Sequence, residues 1–282
     1  MPTLVVEGCL GGLHYKLHTP AREAQRAKSV RDVGWAAPVA GTPLVLLHGA
    51  GGNLMHWPGE LRRLTGCAVV ALDLPGHGHS GGAAQPPDGD VAQGISAYAQ
   101  VVARFAEVLN LPRFVLAGHS MGGAVALELA LQRPEMLAGL ILVATGARLP
   151  VAPELLSAIQ EDYEGAAGRM AGWSQGTRPD PNAMRIYLQR LRELDPQVLY
   201  GDYSACNAWD RTADLGTIRA PVLVICGDAD RMTPLQYSLD LQQRMGTAQL
   251  MIVPDAGHMV MLEQPALVAS AVHQFLMGLA VG

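Results

Sequence analysis

Phe114-Val115-Leu116-Ala117-Gly118-His119-Ser120-Met121-Gly122-Gly123 is the stretch on which the reading of this chain turns. Four apolar residues run without a break into a Gly-x-Ser-x-Gly pentapeptide, and the helical pattern of residues 121–132 opens directly behind it. A strand, a tight turn and a helix are expected in series, with Ser120 at the apex. The reason is steric. Side chains two positions from the serine would clash in so sharp a turn, and glycine at 118 and 122 removes them. Gly123 lets the helix pack closely on the strands. The N-terminus of that helix offers N–H groups and a dipole that favour negative charge developing beside Ser120. In a chain with 32 glycines the pentapeptide alone carries little weight. Its position between a strand and a helix gives it meaning.

Outward from this turn the same alternation repeats. Strands are expected at 3–7, 13–18, 43–48, 68–73, 113–118, 140–145, 221–227 and 249–254. Several are unbroken apolar runs, such as Leu44-Val45-Leu46-Leu47 and Val222-Leu223-Val224-Ile225. Continuous runs indicate strands buried on both faces of a parallel sheet. Amphipathic helices are expected at 98–109, 121–132, 234–245 and 263–279. The first carries Val101, Val102, Phe105 and Leu109 at helical spacing. Strand and helix in alternation mean an α/β fold, here a mostly parallel eight-stranded sheet flanked by helices.

Two regions break the rhythm. Residues 22–41, rich in Ala, Gly, Arg and Pro, are expected as a surface insertion. Residues 149–215 show short helical patterns and no strand. They are expected to form a helical cap inserted after the sixth strand, with 1–148 and 216–282 forming the core domain. The cap holds Tyr163, Trp173, Tyr187, Tyr200, Tyr203 and Trp209, which suggests a pocket roof or a small core of its own.

Composition narrows the class. The chain of 282 residues is 49% hydrophobic and 16% charged, with formal net charge −5, as expected of a compact globule. No basic stripe suggests nucleic acid. No apolar run reaches the roughly 18–20 residues of a membrane span. No basic-then-apolar leader is evident at the N-terminus, so a cytoplasmic setting is expected. Cys9, Cys67, Cys206 and Cys226 are scattered without metal or redox spacing.

A serine hydroxyl is a weak nucleophile at neutral pH. It needs a neutral imidazole to take its proton and a carboxylate to fix the tautomer of that imidazole. Asp228 and Asp230 both follow the seventh strand, in Gly227-Asp228-Ala229-Asp230. Asp230 is favoured as the orienting acid and Asp228 as a turn cap. Of nine histidines, only His258 sits in a loop past the last strand, after a flexible Ala256-Gly257. His48, His56, His77 and His79 precede the serine, and His119 adjoins it. His14 and His18 belong to an N-terminal strand and His273 to the last helix.

His48-Gly49-Ala50-Gly51-Gly52 follows the third strand. A glycine-rich turn there can aim a backbone N–H at a carbonyl oxygen. The donors are expected to be the N–H groups of Ala50, with Gly51 as the alternative, and of Met121. Candidate pocket residues are His119, Gly49, Trp173, Tyr187 and Met259. Gly76-His77-Gly78-His79-Ser80-Gly81 fits a dinucleotide fingerprint, but the Gly- and Pro-rich segment behind it opens no helix to receive a pyrophosphate. His77 and His79 lack a third metal ligand. No cofactor and no metal are expected.

With these residues in place the chain resembles the α/β-hydrolase superfamily, in its capped esterase, lactonase and C–C hydrolase branch, from about residue 43 to the C-terminus. The resemblance rests on His48-Gly49-Ala50-Gly51, on Asp73-Leu74-Pro75-Gly76-His77-Gly78-His79-Ser80, on the Ser120 pentapeptide, and on Asp230 with His258. It implies a serine hydrolase acting on small to medium carboxylic esters. Enol-lactonase, thioesterase or C–C hydrolase activity through the same triad is the alternative. A non-catalytic ligand-binding relic of the fold and a perhydrolase-like side activity are more remote. Aspartate-nucleophile members of the superfamily are disfavoured by Ser120. A C–C hydrolase would need polar groups for a carboxylated substrate, and the cap offers Arg185, Arg190 and Arg192. The expected partner is a small ester-type molecule, with neither nucleic acid nor membrane. Oligomeric state is not legible.

Overall fold

The computed structural model describes residues 3–10, 12–20, 42–82, 93–111 and 113–279. The expected insertion at 22–41 lies outside them. The strands are β1 (Thr3–Leu10), β2 (Leu13–Pro20), β3 (Leu44–Leu47), β4 (Val69–Leu72), β5 (Phe114–His119), β6 (Leu137–Val143), β7 (Val222–Gly227) and β8 (Ala248–Val253). They form one sheet of order β1-β2-β4-β3-β5-β6-β7-β8. From β4 to β8 every pairing is parallel. β2 runs antiparallel to both β1 and β4.

The helices are α1 (Gly59–Arg62), α2 (Gly94–Val108), α3 (Met121–Gln132), α4 (Pro153–Glu161), α5 (Tyr163–Trp173), α6 (Pro181–Glu193), α7 (Pro196–Ala208), α8 (Leu235–Arg244), α9 (Val260–Glu263) and α10 (Pro265–Leu279). The strand alternation sorts them into layers. Val45, Leu47, Leu116, Leu142 and Val224 face one core, shared with Val102 and Phe105 of α2, Val125 of α3 and Leu241 of α8. Leu44, Leu46, Val115, Ile141 and Ile225 face the other, with Leu61 of α1 and Val268 and Val272 of α10. Both faces of the central strands are dry, which is why their sequences read as unbroken apolar runs.

Element ends differ from the sequence reading for local reasons. β1 continues past residue 7, because Leu10 pairs with Leu13 across a hairpin whose Gly12 lies at φ +86°. β6 stops at Val143, not 145, because Ala144 turns the backbone to φ +47°. The last helix is two, broken at Gln264, whose following proline disfavours helical backbone.

Between β6 and β7 the described chain is entirely helices and connections. α6 and α7 each begin with Asp-Pro. Asp180 accepts from the Asn182 N–H at 2.8 Å and Asp195 from the Gln197 N–H at 2.9 Å, and proline fills the first helical position, where no N–H is needed. The two ends of this segment are tied together. Arg148 bridges to Asp210, and the Arg211 N–H donates to the Ala147 carbonyl at 2.9 Å. Buried Glu128 of α3 takes Arg211 in two hydrogen bonds and the Trp209 indole in a third. No helix among the described residues is long and apolar enough to cross a membrane.

Candidate active site

The strand order reverses around β3, which lies between β4 and β5. In an open α/β sheet, ligands bind beyond the carboxyl ends of the strands where the order reverses. The His48–Gly52 loop leaves β3 at this point and Ser120 leaves β5. Ser120 has φ +52° and ψ −119°, a strained conformation for a non-glycine residue. Its N–H donates to the Val143 carbonyl at 2.9 Å, and its carbonyl accepts from the Gly123 N–H and the Thr145 hydroxyl, each at 2.8 Å. These bonds hold the turn. A Cβ on Gly122 would stand 2.5 Å from the His48 carbonyl oxygen and 2.7 Å from that of Leu47. Both are backbone atoms at the end of β3 and cannot rotate aside. Gly122→Ala is expected to cost about 3 kcal/mol and to lower the melting temperature by about 5 °C or more, which a thermal melt reads directly. A melt unchanged from the parent would mean that the turn is looser than this packing.

The His258 Nδ1 lies 2.9 Å from Asp230 Oδ2. Asp230 Oδ1 accepts from the N–H groups of Met232 and Thr233 at 2.8 and 2.9 Å, and Oδ2 accepts from the Thr233 hydroxyl at 2.7 Å. Burial raises this carboxyl, but the His258 charge and hydrogen bond and the Thr233 donors outweigh it and hold Asp230 below the usual carboxylate range. Asp228 turns elsewhere and accepts from the Asp255 N–H at 2.7 Å. With its Nδ1 on Asp230, His258 has Nε2 as the nitrogen left for proton transfer.

Ser120 and His258 line one pocket with Gly49, Ala50 and His119. The helical segment adds Leu149, Pro150, Val151, Tyr187, Tyr203 and Cys206. Met259, Met232, Tyr237 and His56 complete most of the wall. Of the expected pocket residues, Gly49, His119, Tyr187 and Met259 come together here. Trp173 does not. It closes α5 and packs, half-buried, against the second core. The next residue makes the functional contact, the Ser174 carbonyl accepting from the Met259 N–H at 3.2 Å.

Gly51, the alternative donor, is corrected by the structure: its N–H is taken by Asp202 Oδ2 at 2.9 Å. The Gly52 N–H bonds the Gly49 carbonyl at 3.0 Å. Ala50 lines the same pocket as Ser120. His119 packs its ring 4.7 Å from that of His258 and donates through Nε2 to the His258 carbonyl at 3.0 Å. Burial, then the neighbouring His258, push His119 down to about 3, so it is a neutral brace for the His258 loop.

Gly257, read from sequence as a flexible joint, is instead a point of close approach. A Cβ there would lie 2.4 Å from the backbone of Gln175 and Gly176. Its N–H and that of Gly176 both donate to Glu263. His77 and His79 diverge: His77 bonds Asp202, while the His79 ring lies 4.9 Å from that of His14. Among the described residues no group of metal-ligating side chains could hold an ion. Arg192 pairs with Glu164, Arg185 bonds Asn182 and Arg190 reaches Asn53. None of the three lines the Ser120 pocket.

Residues 44–271 match the model of the Alpha/beta hydrolase family. The chain belongs to that family. A Pseudomonas putida relative, the dihydrolipoyllysine-residue acetyltransferase component of the acetoin cleaving system, is 30% identical over 79% of this chain and 60% of its own length. The chain thus spans less than two thirds of that relative. A poly(3-hydroxyalkanoate) depolymerase from Ectopseudomonas oleovorans is 29% identical over 83% of this chain and 84% of the relative. A solved thermophilic esterase superposes with TM-score 0.74 at 27% identity, covering 99% of each chain.

Sequence reasoning missed Thr233, Asp202 and Glu263. Thr233 had a local signal, standing three residues after Asp230 in the same turn. Asp202 had none, because its Gly51 partner lies 151 positions away; Glu263 stands six residues from Gly257, but its other partner, Gly176, lies 87 positions away.

Proposed function

We propose that this protein is a serine hydrolase that cleaves esters of short-chain carboxylic acids through an acyl-enzyme on Ser120. The observation that carries the reading is the convergence of Ser120, the Asp230-held His258 and the Ala50 loop on one pocket. The Ser120 hydroxyl attacks the ester carbonyl as His258 takes its proton. The N–H groups of Ala50 and Met121 bond the tetrahedral oxyanion, each donor contributing about 3 kcal/mol. Collapse expels the alcohol, which His258 protonates. Water then repeats the cycle and frees the acid and the serine. Asp230 stabilises the imidazolium formed in each step. The roof is the helical cap, residues 149–215, over a core domain of 1–148 and 216–282.

Two observations bear on substrate. The pocket is partly open to solvent and its cavity volume is about 60 Å³, below the roughly 300–1,000 Å³ of a site for a drug-sized ligand. It suits an acetyl to butyryl group. No arginine lines it, which disfavours the carboxylated substrate of a C–C hydrolase. The thermophilic esterase among its relatives supports the ester reading.

A series of p-nitrophenyl esters from acetate to decanoate is the test. Acetate to butyrate is expected to be favoured by about tenfold or more in kcat/KM over octanoate. A fluorophosphonate probe is expected to label the protein through Ser120. Absence of both labelling and turnover would sink the reading. Labelling with preference for long chains would retain the nucleophile and reject the short acyl group.

A further inference from the structure

Asp202 sits on α7, within the helical segment, and is fully buried. Its Oδ2 accepts from the Gly51 N–H at 2.9 Å and faces His77 Nε2 at 2.8 Å. Its Oδ1 accepts from the Tyr98 hydroxyl at 2.8 Å. One carboxylate therefore joins a helix of the inserted segment to the loop after β3, the loop after β4 and helix α2. The His77 ring shows what charge it carries. Its Nδ1 lies 3.0 Å from the Pro75 carbonyl oxygen and its Nε2 faces a carboxylate, so both partners are acceptors. Both nitrogens must donate, which makes the ring an imidazolium. Burial pulls His77 down, but the charge and hydrogen bond of Asp202 outweigh it and raise the group above an ordinary histidine. A buried carboxylate without such a partner would be costly.

The loop between His48 and Gly52 has few ways to stay in one shape, since three of its five residues are glycine. His48 pins it from below. Its Nδ1 donates to the Gly49 carbonyl at 2.8 Å, and its Nε2 accepts from the Leu74 N–H at 3.0 Å. The Gly52 N–H turns back to Gly49. Among the described residues Asp202 holds the Gly51 N–H, and the plane of that peptide sets the direction of the backbone one residue earlier.

We propose that Asp202 is a positioning residue for the oxyanion hole: by holding the Gly51 N–H, with the His77 imidazolium as its counter-charge, it aims the Ala50 N–H at the oxyanion. The helical segment then does more than cover the pocket, because a helix inserted after β6 completes a donor loop that follows β3. This rests on the acyl-transfer reading above.

The test compares Asp202→Ala, which removes the acceptor, with Tyr98→Phe, which loses one bond to Asp202 but keeps the Gly51 tether. For Asp202→Ala, kcat/KM on p-nitrophenyl butyrate is expected to fall about 10- to 100-fold, with KM changed less than about threefold. Affinity for a short-chain trifluoromethyl ketone, whose hemiketal oxyanion occupies the same hole, should fall in step. Tyr98→Phe should lower the melting temperature while kcat stays within about threefold of the parent. Equal losses of kcat in the two variants, each tracking stability, would overturn the proposal, as would an unchanged ketone affinity. If Asp202→Ala does not fold, the double variant D202A/H77Q removes both charges and the acceptor and takes its place, with the same expectations. Amide exchange in residues 48–54 supplies a readout independent of turnover. It should speed up about tenfold in the Asp202 variant, and unchanged exchange would refute the tether even if the ester reading itself had failed.

Discussion

Ser120→Ala is expected to leave a folded protein whose hydrolysis of p-nitrophenyl butyrate is lower by about 10⁴- to 10⁶-fold. The loss follows because the proposed acyl-enzyme forms on the Ser120 hydroxyl, which alanine lacks. Cys206 shares the pocket, but burial, with a smaller contribution from Asp202, pushes its thiol far above the usual range, so it supplies no thiolate in place of the serine. The fold should survive because the bonds that shape the turn use the Ser120 backbone. The N–H reaches Val143, and the carbonyl receives Gly123 and Thr145. Alanine keeps all of them. The measurement is steady-state turnover beside a thermal melt and fluorophosphonate labelling. Retention of near-normal hydrolysis would remove Ser120 from the mechanism. A variant that melts far below the parent would mean that the hydroxyl, not the backbone, holds the turn.

A second large effect concerns acid. Three histidines around the site are buried and held neutral by their surroundings. Burial and then His77 press His48 down to about 4. Burial and then His258 press His119 to about 3. Burial, followed by His48 and His119, lowers His56 well below its ordinary value. In the unfolded chain each would titrate near pH 6.5. Between that value and the folded values, the unfolded state binds more protons, so stability falls as pH falls. At pH 5 the loss is about 2 kcal/mol for each histidine. His77 works the other way: its raised folded value favours folding below pH 6.5 and loses that contribution as pH rises through it. Its contribution does not change further below 6.5, so it cannot offset the fall. The total is a large share of the roughly 5–15 kcal/mol that holds a domain together. The melting temperature is expected to drop by about 10 °C or more between pH 7.5 and pH 5. Scanning calorimetry across that range checks it. A flat melting temperature would show that these histidines are hydrated or protonated in the folded protein.

The sheet was legible in the sequence because its central strands are buried on both faces, and an apolar run such as Leu44–Leu47 shows this without knowledge of its neighbours. Ser120 was legible for a related reason. A strained turn that only glycine-flanked sequence can make leaves a local mark at Gly118 and Gly122. Asp230 and His258 could be picked out by their order along the chain and by the strands they follow. Trp173 shows where this reasoning stops. An aromatic residue in the helical segment fits a pocket wall or a packed core equally well, and its direction depends on how α5 is rotated against its neighbours α4 and α6.

The sequence by itself determined the α/β alternation and the strand–turn–helix at Ser120, since each depends on contacts within a few residues, and it marked the candidate partners of the serine by their order along the chain. Tertiary structure decided that the Gly51 N–H is spent on Asp202. It also decided that His77 faces two acceptors and that Gly257 lies against Gln175. These depend on where the helical segment returns to the sheet. A hydrogen bond across 151 positions leaves no periodicity and no local composition to read, because its energy depends on distance in space and not on distance along the chain.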